Sequence, residues 1–269
     1  MSKIPASVGI LTFNSGTTLR RALESVRDFN EIVICDGGSS DGTLAIAAEF
    51  GARVITQDPQ FKNADNTLRD YAGVRNQLLA AASNDWFLYI DSDETISDGL
   101  REEIREAVAK PSGPMVYRVP IGIILDGRYI KHSSNYPGYQ TRFFNKRSGA
   151  RFVRPVHERI EFGSDIKVGT FKHPWYVHTT REFWRDYLRT RTSKYRTNEV
   201  EEACKQPFGA YLRHTVLWHL RTSLGTFTKA SWIYLVNGFA DSVPVRGELG
   251  RALVPLVHVW RVTRCRLFG

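Results

Sequence analysis

Asp91-Ser92-Asp93-Glu94 closes the apolar run Trp86–Ile90 (WFLYI), and two carboxylates at i and i+2 of an extended segment point to the same side. Like charges that close repel unless a cation sits between them. Hard oxygen ligands suit magnesium or manganese, which take one or two protein carboxylates and fill other positions with substrate phosphates. The chemistry on offer is a metal bridge to a diphosphate; the plainer reading is an acidic loop ahead of a helix capped by Asp98. Asp36 follows a second apolar run, Glu31–Cys35 (EIVIC), and opens the stretch Asp36-Gly37-Gly38-Ser39-Ser40-Asp41-Gly42-Thr43. A carboxylate placed there can accept hydrogen bonds from a base or ribose. It also reads as a simple turn with Asp41 capping the next helix, and both hold together if the turn presents Asp36. Thr12-Phe13-Asn14 ends a third run, Ser7–Phe13, although Asn14 or Ser15 also suits a helix start. A fourth feature, His157-Glu158, follows Pro155-Val156 in the second half.

The elements that must position these residues alternate. Strands are expected at 7–13, 31–35, 53–56 and 86–90, and helices at 17–28, 42–50, 68–82 and 98–109. That rhythm argues for a parallel sheet with helices on both faces, where ligands bind beyond the carboxyl ends of the strands. After Met115 the chain reads as short extended runs, at 115–125, 128–132, 140–145 and 167–177, with turns at Asp126-Gly127 and Ser148-Gly149. From Thr180 it is helical and basic, interrupted at Pro207, Gly225, Pro244 and Gly247. There is no internal repeat.

The chain has 269 residues, 42% hydrophobic and 24% charged, which excludes disorder, collagen and coiled coil. Its net charge of +9 is uneven: residues 1–135 carry 14 Lys/Arg against 18 Asp/Glu, and residues 136–269 carry 23 against 10. Only the second half suits an anionic partner. Cys35, Cys204 and Cys265 lie far apart and match no metal spacing or disulfide framework, which suits a reducing compartment. Residues 1–13 lack the features of a secretory signal, and no apolar stretch reaches the ~18–20 residues that span a bilayer. The expectation is a cytoplasmic protein, soluble or surface-bound.

Taken together, TFN at 12–14, LRRALESV at 19–26, EIVICDGGSSDGT at 31–43, ARVI at 52–55 and RNQLLAAASNDWFLYIDSDE at 75–94 closely resemble the nucleotide-sugar-binding half of family-two inverting glycosyltransferases with the GT-A fold. RFFN at 142–145, VHE at 156–158 and the basic tail resemble the small beta-glucosyltransferases of the lipopolysaccharide core. The resemblance implies a Rossmann-like, mixed and mainly parallel sheet flanked by helices over residues 1–179, followed by a basic helical extension over 180–269. Residues 1–110 would bind the donor and 111–179 the acceptor. It implies a nucleotide-sugar donor, UDP-linked, with a manganese or magnesium ion. Asp36 would contact the nucleobase beside Thr12 and Asn14, and Arg75 would approach the diphosphate or else be an ordinary helix-surface arginine. Asp91 and Asp93 would hold the metal, Asp93 directly, with His178, in preference to His173, either a further ligand from the C-terminal side or a histidine packed in the core. Glu158 would take the acceptor proton; its alternative is a salt bridge to Arg154 or Arg159, and Glu94 is the rival base, more suited to supporting the metal motif. His157 would orient Glu158 or else be a buried polar partner. The segment 58–70 would be a loop near the donor. The Gln-x-x-Arg-Trp motif of processive members is absent from the sequence, so transfer of one sugar to a glycolipid or oligosaccharide acceptor is expected.

In the tail, Arg181, Arg185 and Arg189 recur every fourth residue near Arg191, Lys194 and Arg196, interleaved with Phe183, Trp184 and Tyr187. Trp218, Trp232 and Trp260 follow among further arginines. Such mixing suits an anionic membrane surface, with the protein peripheral on the inner face of the cell membrane. For any single helix, a solvated face with its aromatics in the core explains the pattern as well. No nucleic-acid recognition motif accompanies the charge. A sugar-nucleotide pyrophosphorylase would open with Gly-x-Gly-Thr-Arg where this chain has Thr-Phe-Asn-Ser-Gly. A non-catalytic lipid- or DNA-binding protein on the same fold is the remaining alternative.

Overall fold

Strand β1 (Ile4–Thr12) pairs in parallel with β2 (Phe29–Asp36) on one side and β4 (Trp86–Asp91) on the other. The register sets Thr12 against Asp36 and Leu11 against Asp91, so three strand ends lie side by side. The computed structural model describes residues 2–155, 158–194, 200 and 203–268; His157 and Arg196 of the sequence reading lie outside them. The chain divides into two units, residues 1–122 with 137–177, and residues 123–136 with 178–269.

In the first unit β3 (Arg53–Thr56) extends the parallel sheet beside β2, and β8 (Tyr139–Asn145) joins β4 antiparallel. β6 (Val116–Leu125) runs antiparallel to β8 and parallel to β11 (Val168–Thr170). β5 (Glu94–Ile96) pairs with the start of β12 (Trp175–Thr179). The extended run expected at 167–177 is therefore two strands. They are separated by a bend at residues 171–174, where Lys172 and His173 donate backbone N–H groups to Glu103. The fold is the mixed, mainly parallel sheet flanked by helices that the sequence predicts.

Helix α1 (Leu19–Val26) buries Leu19, Ala22, Leu23 and Val26, the i, i+3, i+4, i+7 pattern of a helix lying on a sheet. α2 (Thr43–Glu49) follows β2. α3 (Tyr71–Ala81) starts three residues later than its periodicity predicts, because Asp70 accepts from Gly73 N–H as its cap at 2.8 Å. α4 (Asp98–Val108) is capped by Ser97, not Asp98, with Asp98 in its first turn. Phe29, Leu88, Phe143 and Trp175 lie in the core on one side of the sheet; Phe87, Leu78, Phe144 and Phe152 lie in that on the other. Gly9 admits the Phe87 ring: a Cβ there would sit 2.5 Å from it.

The second unit begins with the end of β6, which turns through Asp126 (φ 47°) and Gly127 (φ 80°) into β7 (Arg128–Ile130). Two successive positive φ angles make the tight hairpin turn that Asp-Gly favours. Ile123, Leu125, Ile130 and Val243 surround the buried Trp184 of α5 (Arg181–Arg185), so the first aromatic cluster of the tail is core. α6 (Tyr187–Lys194) follows, then a π-helical segment, Tyr211–Leu217, leading into α7 (Trp218–Asn237) and α8 (Val245–Phe268).

The burial pattern of α7 and α8 is inside out. Apart from Val262, their buried positions are small or polar: Ser223 and Ala230 on α7, and Gly247, Glu248, Gly250 and Ala252 on α8, joined by Ser223 Oγ donating to Ala252 O at 2.6 Å. Leu224, Phe227, Trp232, Leu235, Leu253 and Trp260 face outward. Among the described residues, no helix is long and apolar enough to cross a membrane.

Contrary to what their spacing predicts, the cysteines are not all unpaired. Cys204 and Cys265 form a disulfide with Cα atoms 6.0 Å apart, while Cys35 is buried and free. Sixty-one residues separate the pair in sequence, and only the return of α8 toward the segment before Pro207 brings them together.

Candidate active site

The ends of β1, β2 and β4 supply the carboxylates, and side-chain bonds lace the loops beyond them. Asp36 is buried and accepts four hydrogen bonds: Thr12 Oγ1 at 2.7 Å and Ser39 Oγ at 2.6 Å on Oδ1, and the N–H groups of Gly38 at 2.9 Å and Ser39 at 2.8 Å on Oδ2. Burial alone would push this carboxyl up, but the Ser39, Thr12 and Gly38 donors outweigh it and hold the group below its usual range. An ionised carboxylate has about four lone-pair sites, and all are used. Asp36 thus builds the turn at 37–39 and fixes Thr12 to it. Asn14, at φ 48°, crosses to the same turn, donating N–H to Ser39 Oγ at 2.8 Å and accepting from Ser40 N–H at 2.9 Å. Asp41 accepts from the N–H groups of Gly16 at 2.9 Å and Thr43 at 3.0 Å, a structural role, although the helix is capped at Gly42 and not at Asp41 as expected.

Arg75 is no surface arginine. It is 5% exposed on α3, with its guanidinium 4.8 Å from the Tyr89 ring centroid. Nη2 donates to Asp91 Oδ1 and Nε to Glu158 Oε1, both at 2.6 Å. Glu158 therefore pairs with Arg75, where the sequence offered Arg154 or Arg159. Two contacts carry Glu158 there: Asn76 of α3 bonds both the N–H and C=O of Phe152 in β9 (Arg151–Val153), and Tyr71 N–H donates to Pro155 O. Nη1 of Arg75 is buried and has no hydrogen-bond partner among the described residues.

A second buried arginine, which the sequence reading passed over within RFFN, stands behind the acidic loop. Arg142 grips Glu94 in a fork, Nη1 to Oε2 at 2.8 Å and Nη2 to Oε1 at 3.1 Å, with both side chains under 10% exposed. Its guanidinium lies 4.6 Å from the Tyr89 ring centroid and 4.3 Å from that of Trp175. Glu94 Oε2 also accepts the N–H of Asp91 at 2.9 Å. Glu94 is thus committed to shaping the Asp91–Asp93 turn. Its signal in the sequence is weak: one acid among three, with its partner 48 residues away.

Asp91 and Asp93 differ electrostatically. Burial raises the Asp91 carboxyl, but Arg75 beside it, helped by Arg142, brings it below the ordinary range. Asp93 is pushed up, first by desolvation and then by the Asp91 charge. Desolvation and a neighbouring carboxylate, at a pair of hard oxygen donors of which Asp93 is exposed and Asp91 partly so, are what a divalent cation relieves. Among the described residues no group of three or more His, Cys, Asp or Glu could hold a metal. The donor set therefore fits an ion held by one or two carboxylates and completed by ligand phosphates, and not a cage supplied by protein alone. His178 lies on β12 within the second unit.

Residues 7–164 match the model of glycosyl transferase family 2. The chain belongs to that family. A family-2 glycosyltransferase of this length is similar to an uncharacterized glycosyltransferase of Rickettsia conorii, 25% identical over 251 residues that cover 88% of this chain and 84% of that protein. It is also 28% identical over 167 residues to the lipopolysaccharide core biosynthesis glycosyltransferase LpsC of Rhizobium meliloti, covering 62% of this chain and 57% of that one. Among solved structures, glucosyl-3-phosphoglycerate synthase of Mycobacterium tuberculosis with Mn2+ and UDP matches 45% of this chain and 44% of its own, with 22% identity and a TM-score of 0.33. S. aureus TarS 1–349 covers all of this chain and 92% of its own, with 14% identity and a TM-score of 0.46.

Proposed function

We propose that this glycosyltransferase moves one sugar from a UDP-linked donor to a hydroxyl of a cell-envelope glycolipid or lipopolysaccharide-core oligosaccharide, with inversion and with a divalent metal. The Arg75 bridge carries the reading: one buried guanidinium gathers the metal-motif carboxylate Asp91 and the candidate base Glu158. Residues 1–110 serve as the donor half, 111–179 as the acceptor half and 180–269 as the basic region.

Asp93 and Asp91 would hold manganese or magnesium, with no third side chain needed from the protein. The ion, when bound, neutralises charge developing on the departing diphosphate. Thr12, Asn14 and the turn built by Asp36 frame the nucleoside, and the unpartnered Nη1 of Arg75 offers a donor to a diphosphate oxygen. Glu158, oriented through Oε1, takes the acceptor proton on Oε2. The acceptor oxygen forms its bond to the anomeric carbon from the face opposite the leaving group. The carbon–oxygen bond to the diphosphate breaks, and its electron pair leaves with the phosphate. Attack from the opposite face inverts the centre.

Outward apolar residues of α7 and α8, interleaved with arginine and lysine, support contact with an anionic membrane surface, where a lipid-linked acceptor would be met. Release of UDP from UDP-glucose in the presence of envelope glycolipid tests the chemistry. Glu158→Gln should lower kcat about 100-fold or more with donor affinity unchanged. Unchanged kcat would remove Glu158 from the role.

A further inference from the structure

Gln57 follows β3 directly and is only 6% exposed. The register sets Thr12 against Asp36 and Asp36 against Thr56, so this amide stands one residue past three adjoining strand ends. That is where a parallel sheet receives a nucleotide. Its backbone N–H donates to Asp36 O at 2.9 Å, and Gly37 N–H donates to Thr12 O at 2.8 Å, so both residues are fixed to the neighbouring strand end.

Hydrogen bonding gives the Gln57 side chain one orientation. Nε2 donates to Thr12 O at 3.4 Å and to Cys35 O at 3.3 Å. An amide oxygen turned toward two carbonyl oxygens would be repelled, so the nitrogen faces them and Oε1 faces the other way. Both amide protons are spent there, and Oε1 keeps two lone pairs. Among the described residues no group donates to Oε1, and the atom is not sealed from the surface. It lies beside Gly37 and Phe13: a Cβ on Gly37 would sit 3.1 Å from Oε1 and 3.1 Å from Phe13 Cδ2. Glycine at 37 therefore leaves the oxygen uncovered, and Phe13 is 59% exposed at the same place. Asp36 offers no such acceptor, because four donors already fill its lone pairs.

We propose that Gln57 Oε1 selects the nucleobase of the donor by accepting the N3–H of uracil. Uracil and thymine carry a proton on N3, and cytosine carries a lone pair there that would face the amide oxygen. A site built to pair one polar group rejects the analogue that leaves it unpaired far more strongly than an apolar pocket rejects a misfit. The two backbone carbonyls that hold Nε2 are what keep the oxygen, and not the nitrogen, turned to the base. The inference rests on the UDP-donor reading and adds the residue that chooses the base.

The test is titration calorimetry of the full chain, in manganese, with UDP, N3-methyl-UDP and CDP. Wild type should bind UDP at least tenfold more tightly than either of the others. Gln57→Met, close in volume but without the oxygen, should lower UDP affinity at least tenfold while leaving that of CDP within threefold, so that the preference for UDP over both analogues falls below threefold. Damage to the fold alone would weaken all three ligands together and leave the preference intact. Gly37→Ala, which keeps the amide and covers Oε1 with a methyl group, should shrink the same preference independently. A preference for UDP that survives undiminished in both variants would overturn the role of Gln57 and leave the donor site standing. Wild type that binds UDP and CDP equally would also overturn it. Folded wild type that binds none of the three would remove the inference together with the UDP-donor reading.

Discussion

Arg75 Nε donates to Glu158 Oε1 at 2.6 Å, across 83 residues of sequence, and the same guanidinium donates to Asp91. A single buried cation thus sets the spacing between Asp91 and Glu158. Removing it leaves two carboxylates without their counter-ion. Arg75→Met should cost about 3 kcal/mol of unfolding free energy, at the lower end for a broken buried pair because Asp91 is partly exposed. Glu158→Gln should cost less, about 1 kcal/mol, by weakening one charge-assisted bond. Urea titration of both variants checks the order.

Arg142 and Glu94 form the more deeply buried pair. Arg142→Met alone should destabilise by about 3–5 kcal/mol, and adding Glu94→Gln should recover part of that loss because the stranded charge is gone. Since Glu94 also holds the Asp91 N–H, Glu94→Gln should raise the manganese concentration for half-maximal activity about tenfold, as loss of a supporting contact does at metal sites.

Glu31 makes stability depend on acid. Burial pushes its carboxyl up, but donors from Ser7, Ser83 and Arg53 overcome this and hold it at about 2. Because the folded value lies below the unfolded one, the contribution is fully present above pH ~4.5 and is lost as pH falls through ~2. The stability difference between wild type and Glu31→Gln should therefore be largest near neutrality and shrink between pH 4.5 and 2, read from urea midpoints at each pH.

The Cys204–Cys265 disulfide closes 61 residues of chain, worth about 4 kcal/mol by loop entropy. Dithiothreitol should lower the melting of the second unit in calorimetry and leave UDP binding by the first unit unchanged.

The strands and helices of the first hundred residues are legible because apolar runs of strand length alternate with helical periods, and because acids follow the runs directly. Asp36, Asp91 and Asp93 stand out for that reason. Arg75 and Arg142 do not, since a buried guanidinium on a helix or strand has no local mark in a chain with 37 Lys/Arg. Their acidic partners lie between 16 and 83 residues away, beyond the reach of periodicity. Ser97 displaced Asp98 as a cap because both are good caps and only the backbone decides. In the tail, composition places tryptophan among arginine but not which side of the helix faces out: Trp184 is core, while Trp218, Trp232 and Trp260 are outside.

The most direct test of the account is a thermal-shift panel of UDP-, GDP- and dTDP-sugars with and without manganese, on wild type and Asp93→Ala. A donor at one hundred times its dissociation constant stabilises a fold by about 2.7 kcal/mol. The strand-end site predicts a manganese-dependent rise in Tm with UDP-sugar, lost in Asp93→Ala while that variant still melts cooperatively. Folded wild-type protein that shifts with no donor, or a shift that survives Asp93→Ala undiminished, would contradict it.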